Sequence, residues 1–235
     1  MSAALRTSLA LIALSVTALF AALWLGPVAI DPFANDDATR TIVWDIRFPR
    51  ALTAWIVGAA LGLSGAALQG LLRNPLADSG VLGLSGFAAL GAVIAFAFGF
   101  ALYAPIMAIV FAGVAALIVT TLGWRARGPA SLALIGVGLS SFAGGLIALA
   151  LNLAPNPGAL ADLVNWTLGS VEGRSLNDAL LAGALLIVGA AFILAAARGL
   201  QALTLGEEAA AAIGADLGRT RTLVILGAAA WTGGA

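Results

Sequence analysis

Ala51-Leu-Thr-Ala-Trp-Ile-Val-Gly-Ala-Ala-Leu-Gly-Leu-Ser-Gly-Ala-Ala-Leu-Gln-Gly-Leu-Leu72 runs for 22 residues without a charged side chain. At about 1.5 Å of helical rise per residue, this is enough to cross the roughly 30 Å hydrocarbon core of a bilayer. Uncharged runs of the same order recur on both sides of it, at Thr7 to Ile30, Val81 to Leu102, Pro105 to Trp124, Ser131 to Leu153 and Ala179 to Ala197. Six full spans follow, and the predicted fold is an all-α, polytopic transmembrane helical bundle forming a single domain over residues 1–235. The first run outlasts the roughly 7–15 apolar residues of a signal peptide, so it reads as a retained anchor. A seventh run, Thr222 to Ala235, stops after 14 residues. At about 21 Å it is too short to span, which reads as the N-terminal part of a longer protein.

The composition agrees. The chain is 62% hydrophobic and 9% charged, with a mean hydropathy of +1.07, values that make lipid the solvent of most residues. Cys, His and Lys are absent. Disulfides, haem thioethers, iron-sulfur ligation and the usual zinc and copper sites are thereby excluded, and neither a cofactor nor a resident metal is predicted. Zero formal net charge argues against nucleic-acid binding. With the N-terminus placed in the cytoplasm, seven arginines lie inside (Arg6, Arg73, Arg125, Arg127, Arg198, Arg219, Arg221) and four outside (Arg40, Arg47, Arg50, Arg174). That is the sense of the positive-inside rule.

None of the spans holds a charged residue. A charge at mid-membrane marks the coupling sites of pumps and secondary transporters, and an intramembrane enzyme would need a nucleophile with an activating base. Both readings lose ground, and energy supplied from outside the bilayer is favoured. Small residues repeat every fourth position at Gly58, Gly62, Ala66 and Gly70, and again at Gly136, Ser140, Gly144 and Ala148. Each set lines one helix face, a pattern that favours close helix packing over pore lining.

Three polar constellations lie outside the spans. In Thr204-Leu-Gly-Glu-Glu-Ala-Ala-Ala-Ala-Ile-Gly214, Thr204 and Glu207 have the spacing of a reciprocal capping box, and Gly214 sits where a left-handed residue stops a helix. The segment reads as a helical stub with Ile213 as an apolar knob and Glu207 and Glu208 at its positive end. Periodicity leaves open whether it inserts into a partner's groove or merely joins two spans. In Asp45-Ile-Arg47-Phe-Pro49-Arg50, Pro49 disfavours helical backbone at Phe48, which predicts an extended approach carrying Arg47 and a helix entrance at Arg50. Docking of an acidic partner competes there with snorkelling to lipid phosphates and a local pair to Asp45, and the residues alone favour the latter. The link from Gln69 to Gly80 carries an Asn74-Pro75 turn, with Arg73 and Asp78 placed to pair across it. Gln69, the strongly polar residue of its span, reads as helix-packing glue.

Taken together, Arg47-Phe-Pro-Arg50, Val57-Gly-Ala-Ala-Leu-Gly-Leu-Ser-Gly-Ala-Ala-Leu-Gln-Gly70, Asn74-Pro-Leu-Ala77, Gly80-Val-Leu-Gly-Leu-Ser-Gly86, Trp166-Thr-Leu-Gly-Ser170 and Leu205-Gly-Glu-Glu-Ala-Ala-Ala-Ala-Ile-Gly214 resemble the permeases of ABC importers for iron-siderophore complexes, haem and vitamin B12, the FecCD-type family. The resemblance implies a pore of two permease copies, identical or not, with about ten spans each in a bacterial cytoplasmic membrane. It implies cytoplasmic ABC ATPase subunits that hydrolyse ATP and a periplasmic or lipoprotein substrate-binding protein outside. It further implies that Thr204, Leu205, Gly206, Glu207, Glu208, Ala209, Ala210, Ile213 and Gly214 form the ATPase-coupling segment, and that Arg47 and Arg50 dock the binding protein. Pro129, Ala130 and Ser131 correspond to the inner gate, although Pro129 and Ala130 lack hydroxyls found in some relatives; Gln69, Asn74 and Pro75 are assigned with them to the translocation path. The cargo so implied is a metal chelate, with an iron(III)-siderophore ahead of haem or vitamin B12, and the alternative class is a secondary transporter of a small hydrophilic solute.

Overall fold

Hydrocarbon offers backbone amides no partner, so a chain this apolar must satisfy them internally, and helices do so locally. The computed structural model describes residues 3–26, 36–124, 128–154 and 168–235, and among them every regular element is helical. The order is α1 (Ala3–Trp24), α2 (Asp37–Thr41), a π-helical turn (Ile42–Arg47), α3 (Phe48–Leu72), α4 (Leu84–Ala97), a 3-10 turn (Ala101–Tyr103), α5 (Ala104–Gly123), α6 (Pro129–Leu153), α7 (Leu176–Leu203), α8 (Glu207–Ala212) and α9 (Leu217–Gly234). Asp31, Arg125, Arg127, Asp162, Trp166 and Thr167 lie outside the described residues.

Among the described residues, five helices are long and apolar enough to cross a membrane: Leu5–Trp24, Asp37–Leu72, Ala101–Gly123, Pro129–Leu153 and Leu176–Leu203. They account for five of the six predicted spans. The span predicted from Val81 to Leu102 is instead the 14-residue α4, about 21 Å long. Glycines stop it at both ends. Gly83 caps the start with φ 76° and Gly99 follows the end with φ 83°, values that side chains with a Cβ resist. The Phe100 amide then returns to the Ala95 carbonyl and the Gly99 amide to that of Phe96, closing a Schellman motif. Nine of its residues are buried, and the irregular backbone before it finds its partners within the protein: the Gly83 and Leu84 amides reach the Gly80 and Ser79 carbonyls, Val81 N–H reaches Asp78 Oδ1, and Ser140 Oγ donates to the Gly80 carbonyl.

The chain forms two compact units. One comprises residues 1–58 and 171–183, where α1, the π-helical turn and the first turns of α3 meet the start of α7. The other comprises residues 59–170 and 184–235. Its core gathers Leu68, Leu82, Leu84, Val119, Leu132, Val224, Ile225 and Trp231. Glycines let backbones touch there. A Cβ at Gly91 would collide with the Met107 carbonyl, and one at Gly136 with that of Val81. Trp231 Nε1 donates to the Leu186 carbonyl at 2.9 Å, tying α9 to α7.

The region around Pro49 departs from expectation. Phe48 is helical at φ −64°, ψ −50°, and the helix runs unbroken from Asp37 to Leu72. The π-helical turn resolves the conflict: Phe48 N–H bonds five residues back to Val43, so hydrogen bonding changes register just where proline lacks a donor.

Candidate functional site

The segment after α7 makes a sharp detour. α7 ends at Leu203, and the amides of Thr204, Leu205 and Gly206 close tight turns onto Gln201, Ala202 and Leu203. Gly206 has φ 99° and caps α8. The predicted capping box is absent. Thr204 Oγ1 donates to the Gln201 carbonyl at 2.6 Å, because the hydroxyl belongs to the last turn of α7, and Gly206, without a side-chain cap bond, opens the next helix. The stub has six residues, or about 9 Å, because it starts at Glu207 and not just after Thr204 as the capping box implied.

Its end is as predicted. Gly214 has φ 84°, its amide bonds Ala211 and the Ala215 amide bonds Ala210, a complete Schellman motif. Only Ala210 of α8 is buried. Glu208 and Ala209 are exposed, and Leu205 and Ile213 present 64% and 65% of their surface. Two apolar side chains thus flank an alanine helix with a free carboxylate at its start.

Glu207 is committed elsewhere. Its Oε1 accepts from Arg221 Nη2 at 2.7 Å, with side chains 28% and 16% exposed respectively. Arg221 belongs to α9, which is capped by Asp216 accepting the Arg219 amide. Sequence reasoning assigned Arg221 no site role, since a separation of fourteen residues across a glycine turn matches no helical or hairpin spacing. Beside it lies a cavity of about 650 Å³ lined by Gly123, Trp124, Leu132, Arg219, Arg221 and Thr222, among others.

The segment predicted as the inner gate meets this end of the unit. Gly128 has φ 92°, Pro129 occupies the first turn of α6, and a Cβ at Gly123 would press on Leu132. Ala130 is exposed and Ser131 half-buried; the cavity is reached by the adjoining Leu132. Arg73, at φ 49°, does not pair with Asp78. Its guanidinium lies by Gly206, 3.6 Å from where a Cβ would stand, while Asp78 takes the Val81 amide. Asn74 Oδ1 accepts the Leu76 amide in a turn, and Pro75 is exposed. Gln69 is exposed too, not wedged between helices as packing glue would be.

In the other unit, Arg47 Nη1 donates to the Leu23 and Trp24 carbonyls at 2.9 and 3.2 Å, satisfying the open end of α1. Arg50 and Asp45 are exposed. A groove of about 730 Å³ runs beside both arginines, walled by Ala18, Ala21, Ala22 and Ile46 among others.

Comparison with known proteins gives this arrangement its context. A solved structure similar in fold is described as an inward-facing conformation of a putative metal-chelate type ABC transporter, with a TM-score of 0.87 and 28% identity over 97% of this chain and 74% of that one. The ferric enterobactin transport system permease protein FepD of Escherichia coli (strain K12) is 36% identical over 207 residues, 85% of this chain and 61% of that protein. The vitamin B12 import system permease protein BtuC of Vibrio cholerae is 35% identical over 235 residues, 97% and 70% of the respective lengths. With residues 4–235 matching the family as a whole, the chain belongs to the FecCD transport family.

Proposed function

We propose that this chain is the membrane-spanning permease part of an ABC importer that carries a metal chelate, foremost an iron(III)-siderophore, across a bacterial inner membrane. It performs no chemistry. ATP is hydrolysed by separate ATPase subunits that grip α8, and their closure moves α8 so that a pore between two permease copies alternates between outward and inward openings. The N-terminus, α8 and the inner gate at Pro129, Ala130 and Ser131 lie on the cytoplasmic side, with Gln69, Asn74 and Pro75 along the same inner path. Arg47 and Arg50 lie outside and dock a substrate-binding protein.

The observation that carries this reading is α8 itself. A six-residue helix closed by a left-handed glycine, with Leu205, Ile213 and Glu208 exposed around it, is shaped to fill a partner's groove, and it occurs in a chain whose long helices are built for lipid. Kinship supports the cargo reading: two relatives are named for ferric enterobactin and vitamin B12, both of them metal complexes.

Cysteine crosslinking tests it directly. In the full-length protein co-produced with its ATPase, Glu208→Cys should form a disulfide with a cysteine placed in the ATPase cleft. Labelling of that cysteine from the outside of intact cells, with no ATPase crosslink, would sink the assignment. Uptake that collapses with a proton or sodium gradient yet ignores internal ATP would favour a secondary transporter instead.

A further inference from the structure

Three consecutive residues of α9 touch three different elements. Thr220 is buried with its side chain against Gly199 of α7, where a Cβ would collide with its hydroxyl. Arg221 holds Glu207 of α8 at 2.7 Å. Thr222, whose own hydroxyl proton goes to the Gly218 carbonyl, accepts from Trp124 Nε1 at 3.5 Å just beyond α5. The second turn of α9 is therefore where α7, α8 and the approach to α6 converge.

We propose that Arg221 is a positioning residue that makes α8 and α9 move as one body, so that displacement of α8 reaches the cavity lined by Trp124 and Leu132. This rests on the reading of α8 as the ATPase-coupling helix. A helix of six residues has little stability of its own. Its two connections pass through left-handed glycines, Gly206 and Gly214, and such residues give φ and ψ freely. Among the described residues, the Glu207–Arg221 pair is the one side-chain hydrogen bond joining α8 to another element. Without it, a push on α8 would be absorbed by bending at Gly206 and Gly214. With it, the load passes to the first turns of α9, which Asp216 caps and Thr220 wedges against α7. Both partners are half-buried or better, so salt screens the pair less than an open surface one.

The test uses the full-length permease assembled with its ATPase in proteoliposomes. Gly218 lines the same cavity and a Cβ there has room, so Gly218→Cys serves as a reporter. ATP with vanadate should change its maleimide labelling rate by about fivefold when Arg221 is present. Arg221→Met should flatten that response while leaving ATPase capture and melting temperature unchanged. Arg221→Lys should restore most of it, and the double exchange Glu207→Arg with Arg221→Glu should recover what Glu207→Arg alone loses. A full nucleotide response in Arg221→Met overturns the inference, as does a wild-type response of zero. A loss that tracks reduced melting temperature or reduced ATPase capture marks a merely structural contact and also overturns it. Glu208→Cys crosslinking to the ATPase, run in parallel, separates the two ideas: no crosslink removes the coupling reading itself, whereas a crosslink beside an unaltered Arg221→Met response removes only the role of Arg221.

Discussion

At Gly136 the packing leaves no room for a methyl group, because the Val81 carbonyl oxygen already occupies the place of a Cβ. Eight residues on, Gly144 sits on the same helix with nothing within 4 Å. As sequence the two belong to one small-residue stripe, and only Gly136, with Ser140 beside it, is spent on packing. Gly136→Ala should therefore cost ~1–3 kcal/mol of stability, since overpacking forces backbone to shift. Gly144→Ala should be neutral or slightly stabilising, as alanine favours helix. Thermal melting in detergent distinguishes them, and equal melting temperatures would contradict the close approach. Gly58 and Gly62 resemble Gly144: both are exposed with nothing within 4 Å. Another residue-level difference concerns the two arginines proposed to lie outside. Arg47→Glu removes the donor to the Leu23 and Trp24 carbonyls and should lower melting temperature, while Arg50→Glu, at an exposed position, should not. Both should weaken binding-protein docking, Arg50→Glu by about 1 kcal/mol for a rim contact. Titration of the full-length protein with its binding protein reads the docking loss, and unchanged affinity in both variants would remove the outer-docking proposal.

Among the elements, α8 depends most on a single residue. Its last carbonyls are satisfied through Gly214 at φ 84°, a conformation in which a Cβ costs ~1–2 kcal/mol. Gly214→Val should open the motif, and hydrogen exchange at the Gly214 and Ala215 amides should speed by about tenfold. Gly214→Asn should be milder, because asparagine tolerates the left-handed region. Unaltered exchange in Gly214→Val would contradict the Schellman geometry. In α9, Trp231→Phe keeps the ring against Gly189 and removes the donor to the Leu186 carbonyl. The Leu186 carbonyl keeps its place in the α7 hydrogen-bond ladder but loses this second donor, a net contribution of ~0.5–1.5 kcal/mol, so that variant should melt slightly earlier, and one melting like the wild type would show the bond to be dispensable. For α4 the lesson is about length: an apolar run sets where a helix can exist, and the glycines at positions 83 and 99 set where it stops.

On the scale of the whole molecule, the described chain divides labour between a unit that holds α1 against the start of α3 and a unit whose glycine-lined contacts bring α8, α9, α5 and α6 to one end. The proposed importer uses both: exposed charge for one partner in the first unit, an exposed apolar stub for another in the second. Deleting α8 as a unit, by replacing residues 207–213 with a glycine-serine linker in the full-length protein, should abolish ATP-dependent uptake while leaving membrane insertion intact, because none of the long apolar helices lies in that segment. Vesicle uptake with membrane-fraction blotting checks it, and retained uptake would remove the coupling role.

Hydropathy by itself determined that the chain is an all-α bundle, where most of its long helices lie, and, through motifs, the family to which it belongs. Lipid imposes its demand on each helix separately, so that demand is written locally in the sequence; so is the left-handed stop at Gly214, which follows from a glycine at one position. Tertiary structure decided the rest: that Thr204 closes α7 instead of capping α8, that Pro49 is carried inside a continuous helix by a π-helical turn, that Arg47 serves α1, that α4 is short and enclosed, and that Glu207 belongs to Arg221. Arg47 and Glu207 meet partners 14 or more residues away, and packing sets such meetings where no short-range spacing records them; at Thr204, Pro49 and α4 local signals compete, and the folded chain selects among them.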